Sequence, residues 1–129
     1  MEYIGHYLLV GTIFAAVDAV WIGIVANKFY KSKMSSLLRE KPNFVAAVIF
    51  YLVYIFGVVV LALEPALDKE SAIQALGLGA VVGLTAYAAY DLTNASTLKG
   101  WSVAVTVVDL AWGTFITAAT TLIAYLILA

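Results

Sequence analysis

Two aspartates lie deep inside apolar stretches of this chain, and each is followed three residues later by a tryptophan. Asp18 precedes Trp21 in the segment VDAVWIG, and Asp109 precedes Trp112 in VDLAWG. An aspartate near the centre of a membrane span costs ~2.5–3.5 kcal/mol on insertion scales, whereas an interhelical hydrogen bond returns on average only ~0.6 kcal/mol. Packing alone is therefore a weak reason to keep two such acids, and we interpret them as groups that bind a proton or a cation.

A polar run, YDLTNASTLKGW, separates the third apolar stretch of the chain from the fourth. On a helix, Tyr87, Tyr90, Asp91 and Asn94 fall on one face, because residues three, four and seven apart lie above one another. We expect this face to point at the two deep acids, so that the run forms the mouth of a polar pocket. The predicted site comprises Asp18, Trp21, Tyr90, Asp91, Thr93, Asn94, Lys99, Asp109 and Trp112.

No lysine or arginine lies within the apolar stretches to neutralise these acids. Lys99 can reach Asp91 but hardly the deeper pair, and His6 is expected at the opposite side of the membrane. The acids are therefore expected to be protonated, to share a proton or to hold a cationic ligand. The alternative is structural, with protonated aspartates hydrogen-bonded to Thr106, Tyr54 or backbone carbonyls.

The composition identifies the class of protein that must position these residues. The chain has 129 residues, of which 64% are hydrophobic, and its mean hydropathy is +1.02; soluble domains are roughly half apolar. We therefore predict a membrane protein. Cysteine is absent, which excludes disulfides and thiolate chemistry, and a net charge of −1 without a basic excess argues against nucleic-acid binding.

Four stretches are long enough to cross a hydrocarbon core, which needs about 20 apolar residues in helical form. The predicted spans are about 3–26, 43–63, 72–95 and 102–128. They predict an all-α bundle of four transmembrane helices in a single domain, 1–129. The first span is not read as a signal peptide, because no cation precedes its apolar run and Asp18 interrupts it.

Local signals mark the ends of these spans. Pro65 is expected to break the chain after the second span. Asp68 or Ser71 can cap the third span, Gly100 suits a helix end, and Ser102 can cap the fourth.

Orientation follows from the distribution of lysine and arginine, which accumulate on the cytoplasmic side. The first connection carries Lys28, Lys31, Lys33, Arg39 and Lys41, the second only Lys69, and the third Lys99. Both termini are therefore predicted outside. In this arrangement the two deep acids share a depth, about 12 Å from the cytoplasmic ends of their spans.

Small residues at four-residue spacing predict close helix contacts in lipid. One such ladder is Gly11, Ala15, Ala19 and Gly23 in the first span, and another is Ala75, Gly79 and Gly83 in the third. We expect both to be packing faces, although either could serve self-association.

The run YDLTNASTLKGW, followed by VTVVDLAWG and preceded by VDAVWIG, resembles the signature of a family of small bacterial inner-membrane proteins classed as a domain of unknown function. The resemblance covers essentially the whole chain. The matched positions are Asp18, Trp21, Tyr90, Asp91, Thr93, Asn94, Thr97, Lys99, Trp101, Asp109 and Trp112. Ser102 stands where that family often has a proline. The resemblance implies a bacterial inner membrane and supports the site, but it supplies no activity.

Three functions are consistent with these residues. The first is binding or transport of a small molecule or cation coupled to protonation of buried aspartates, with a homodimer as one arrangement because four helices enclose little volume. The second is a membrane enzyme acting on a lipid or isoprenoid head group, in which Asp91 and Asn94 hold a divalent metal and Asp109 acts as base. The third is a lipid-binding accessory subunit. The sequence indicates no cofactor and names no substrate.

Overall fold

The structure is a computed structural model that describes residues 2–34 and 43–129. Its elements are all helical, with no strand in those two ranges. Four helical segments are long and apolar enough to cross a membrane: span 1, Tyr3–Ile24; span 2, Phe44–Asp68; span 3, Ala72–Thr97; and span 4, Val103–Leu128. The prediction of an all-α protein with four membrane-spanning helices is confirmed.

Span 1 continues without a break beyond its apolar part. Helix α1 (Glu2–Trp21) passes through a π-helical turn (Ile22–Ala26) into α2 (Asn27–Met34). The first three cations of the first connection, Lys28, Lys31 and Lys33, therefore follow span 1 on the same helical path. The remaining two, Arg39 and Lys41, lie outside the described residues.

Span 2 does not end near residue 63 as predicted, but runs on to Asp68. It consists of α3 (Phe44–Val58), a π-helical turn (Val59–Leu63) and α4 (Glu64–Asp68). Within the turn the N–H of Glu64 donates to the carbonyl of Val59, one residue further back than in an α-helix. This wider turn lies where Pro65 would otherwise clash with the preceding turn, and Pro65 itself stands at the start of α4. The proline is therefore accommodated and does not end the span.

The predicted caps of spans 3 and 4 are confirmed. Ser71 accepts a hydrogen bond from the Gln74 N–H at 3.1 Å, which begins α5 (Ala72–Thr97). Ser102 accepts one from the Val105 N–H at 3.2 Å, which begins α6 (Val103–Leu128). Gly100, in the tight connection between them, has a φ of +75°, a conformation that glycine adopts without steric cost.

Helices α5 and α6 pack against each other backbone to backbone. A Cβ atom added at Gly79 would lie 2.8–2.9 Å from Thr121, Ala118 and Thr117, and one at Gly83 would collide with the Gly113 carbonyl. The ladder predicted in span 3 is thus a packing face. Gly79 thus lies opposite Thr121, and Gly83 lies opposite Thr117. The two helices are antiparallel, so a residue of α5 and a residue of α6 lie side by side when their numbers sum to about 200.

The ladder predicted in span 1 is not a packing face within the chain. A Cβ atom at Gly11 or Gly23 would have no neighbour within 4 Å, and Ala15 and Ala19 are exposed. The inward face carries larger side chains instead. Phe14 is fully buried and packs against the rings of two tyrosines of span 2, and burial of this aromatic surface decides which face turns inward.

Candidate functional site

Asp18 lies on the inward face of α1, four residues after Phe14, and only 8% of it is exposed. Both carboxylate oxygens accept hydrogen bonds from other spans. The hydroxyl of Tyr51 in span 2 donates to Oδ2 at 2.5 Å, and the indole N–H of Trp112 in span 4 donates to Oδ1 at 3.4 Å. Asp18 is therefore held by uncharged donors and not by a basic partner.

Trp21 and Trp112 stack on each other. Their ring centroids are 4.3 Å apart and the ring planes differ by 10°. The sequence places one tryptophan three residues after each deep acid. The structure joins the two rings into a single aromatic plate, which brings the two VD-containing motifs together across spans 1 and 4.

An open apolar groove of about 310 Å³ lies beside this plate. Its lining residues are Val17, Val20, Trp21, Ile24 and Trp112. Val20 and Ile24 are 58% and 70% exposed, so the groove opens on the outer, lipid-facing side of span 1. The Asp18 carboxylate is not part of the lining, whereas Trp112 borders both the groove and Asp18.

Asp91 is the most deeply buried acid among the residues that the structure describes. It is completely inaccessible, and neither of its carboxylate oxygens has a hydrogen-bond partner in the described residues. It continues the four-residue stripe of Gly79 and Gly83, which places it on the side of α5 that faces α6.

Asp109 occupies the matching position on α6. It is 7% exposed and lies four residues before Gly113, on the stripe that faces α5. No hydrogen bond to its carboxylate is formed within the described ranges. By the register of the two helices, Asp91 and Asp109 stand at the same level. Trp112, which contacts Asp18, is three residues from Asp109 along α6.

Tyr87 packs at the contact of α5 and α6. Its ring lies where a Cβ atom at Gly113 would be, so it fills the space that this glycine leaves open. The ring also meets Tyr54 of span 2 edge-on, at 6.4 Å between centroids.

Most side chains of the polar run at the end of span 3 do not come together with the deep acids, as the sequence had predicted they would. The hydroxyls of Thr93, Ser96 and Thr97 donate to carbonyls of their own helix. Tyr90 is exposed and meets the ring of Trp101 edge-on at 5.7 Å. Asn94 is half-buried and Lys99 is exposed. Of this run, only Asp91 is enclosed between the helices, while Tyr90, Thr93 and Lys99 remain at the surface.

Sequence reasoning named Tyr54 of span 2 as a hydrogen-bond partner of the aspartates in the structural alternative, but it missed Tyr51. Tyr51 holds Asp18, and the Tyr54 hydroxyl is hydrogen-bonded to Thr117 of span 4. Their spacing of three residues places both on one helical face, but that signal does not distinguish them from the tyrosines that commonly line membrane interfaces.

The His6 ring nitrogen of span 1 and the Glu64 carboxylate of span 2 lie within ion-pairing distance. No other ion pair forms in the part of the chain that the structure describes, so the three buried aspartates have no basic neighbour there. The same residues contain no group of three His, Cys, Asp or Glu side chains that could hold a metal ion. The arrangement can therefore bind protons or a mobile cation.

Four apolar helices with acids between them define a polytopic membrane protein of the lipid bilayer. The chain belongs to the family described as predicted membrane protein (DUF2177), whose model matches residues 3–126. The function of this family is not established. No curated protein and no solved structure matches the chain.

Proposed function

We propose that this protein binds a small cation or a cationic molecule between spans 1, 3 and 4 and exchanges it for protons across the membrane. Asp18, Asp91 and Asp109 supply the negative charge. In this proposal the membrane is the inner membrane of a bacterium, both termini lie outside, and the acids lie nearer the cytoplasmic side, as the distribution of lysine and arginine favours.

The observation that carries the proposal is the environment of Asp91. Its carboxylate is inaccessible to solvent and has no hydrogen-bond donor among the described residues. An ionised carboxylate in such a place loses its hydration, and no hydrogen bond or ion pair compensates for that loss. Asp91 must therefore bind a proton or a cation, and no basic side chain of the described residues supplies the cation.

Asp18 is in a different situation, which suggests a division of roles. Tyr51 and Trp112 donate one hydrogen bond to each of its oxygens, and hydrogen bonds to a carboxylate stabilise the ionised form. In this proposal Asp18 attracts the cation, while Asp91 and Asp109 hold and release the protons.

Proton release on cation binding tests this proposal. Purified protein in detergent is titrated in weakly buffered solution with sodium, tetramethylammonium and benzyltrimethylammonium, and the pH change is recorded. We expect stoichiometric release with at least one of these cations, and its loss in Asp91→Asn and Asp109→Asn. Asp68→Asn is the control, because Asp68 is an exposed acid at the end of span 2.

Release that is the same in both variants as in the unaltered protein would contradict the proposal. Binding that requires a divalent metal and disappears with a chelator would support the alternative of a membrane enzyme. Tolerance of both substitutions together with co-purification of one partner protein would support an accessory role.

A further inference from the structure

We infer that the cation is a lipophilic organic one, and that it reaches Asp18 sideways from the bilayer through the groove beside Trp21 and Trp112. This inference rests on the proposed function and names the substrate class of the same site.

The first argument is the position and lining of the groove. It opens on the lipid-facing side of span 1 through Val20 and Ile24, and its volume is about 310 Å³. All of its lining side chains are apolar or aromatic. A hydrated inorganic ion would form no favourable contact with such a lining. The apolar body of an organic molecule dissolved in the bilayer would contact several of these side chains.

The second argument is charge complementarity. The two stacked indoles present electron-rich faces, and tryptophan is the best aromatic partner for an organic cation. Directly behind Trp112 lies Asp18, which has no basic partner in the described residues. A molecule with an apolar body and one positive charge matches both the groove and Asp18. A neutral lipid chain would use only the groove, and an anion would be repelled by Asp18.

The third argument is that Trp112 stands between the groove and the acid. Its N–H lies 3.4 Å from Oδ1 of Asp18, at the long end of the hydrogen-bond range, while Tyr51 approaches Oδ2 at 2.5 Å. The weaker of the two contacts is therefore the one that an arriving cation must displace. Tyr51 keeps the carboxylate in place while Trp112 turns aside.

The test compares benzyltrimethylammonium with neopentylbenzene, its uncharged carbon isostere. Trp101→Phe serves as the background for both, so that Trp21 and Trp112 are the remaining tryptophans and their fluorescence reports on the groove. We expect the cation to quench this fluorescence and to bind about tenfold or more tightly than the isostere. In Asp18→Asn the preference for the cation should disappear.

A matched pair of substitutions locates the site. Val20→Phe fills the groove and should weaken binding of the cation about tenfold. Val81→Phe makes the same change at another exposed valine, in span 3 and outside the groove lining, and should leave binding unaltered. Helical content by circular dichroism confirms that each variant is folded.

Equal affinity for the cation and its isostere, or equal effects of the two valine substitutions, would overturn the inference. Proton release driven by sodium, without any binding of benzyltrimethylammonium, would overturn the inference and leave the proposed function standing. Binding of benzyltrimethylammonium at the groove without proton release would contradict the proposed function and leave the groove as the binding site of the cation.

Discussion

The hydroxyl of Tyr51 donates a hydrogen bond to Oδ2 of Asp18 at 2.5 Å and so joins span 2 to span 1 inside the bundle. The ring of Tyr51 also meets Phe14 edge-on, at 5.5 Å between centroids. The phenol therefore has two roles at once: its ring packs in the core, and its hydroxyl holds the carboxyl group of Asp18. A substitution that removes only the hydroxyl should separate these two roles.

We expect Tyr51→Phe to lower the free energy of unfolding by about 1 kcal/mol, because interhelical hydrogen bonds in membranes contribute ~0.6 kcal/mol on average and at most ~1.7. Binding of benzyltrimethylammonium should weaken as well, since the Asp18 carboxylate loses its closer donor. Stability is measured by denaturation in mixed micelles. Tyr3→Phe is the control, because Tyr3 is an exposed residue near the end of span 1; similar losses in both variants would contradict this role for Tyr51.

Binding of benzyltrimethylammonium should weaken as pH falls. Protons that bind Asp91 and Asp109 remove negative charge from the surroundings of Asp18, so acid weakens the attraction of the site for the cation. Equilibrium dialysis over a series from acidic to neutral pH gives the dependence. In the double variant Asp91→Asn, Asp109→Asn the slope should flatten, and an unaltered slope would assign the competing proton to another group.

Gly83→Ala should be destabilising by about 1–3 kcal/mol, the usual cost of overpacking a filled interior. The added methyl group would collide with the Gly113 carbonyl and with Thr117. The matched control is Gly77→Ala in the same helix, where the new methyl has no neighbour within 4 Å. Thermal unfolding of the two variants in the same detergent compares them, and equal melting temperatures would mean that spans 3 and 4 are less tightly packed than described.

The two ends of the bundle should react from opposite sides of the membrane. The chain has no cysteine, so Lys69→Cys and Lys99→Cys each introduce a single thiol. Both lysines are exposed, the first between spans 2 and 3 and the second between spans 3 and 4. An impermeant maleimide added to intact cells should label the Lys69→Cys protein and spare the Lys99→Cys protein until the cells are opened. The reverse pattern would place both termini in the cytoplasm.

The sequence predicts well the features that depend on neighbouring residues. The four spans follow from apolar length, and Ser71 and Ser102 are recognisable as caps because an N-cap needs only its own hydroxyl and the next turn of helix. The prediction that Pro65 ends the second span is the exception. The π-helical turn Val59–Leu63, just before the proline, accommodates it, and no sequence rule indicates that turn.

What depends on contacts between distant residues is predicted less well. Tyr51 lies 33 residues from Asp18 and Trp112 lies 94, and only the packed bundle shows that both donate to one carboxylate. The small residues of span 1 predict a contact face, yet the larger Val10 and Phe14 gain more by burial and turn that face outward. The deep acids were identifiable from their cost in lipid, whereas their partners were not.

The glycines between spans 3 and 4 have a mechanical consequence. Backbone meets backbone at Gly79, Gly83 and Gly113, so these two spans form a stiff hairpin that cannot slide without steric collision. Span 1 meets span 4 near Asp18 through the side chains of its tryptophan and aspartate, which can change rotamer. Any movement that uncovers Asp18 is therefore expected along the seam of spans 1 and 4, with the hairpin as its fixed frame.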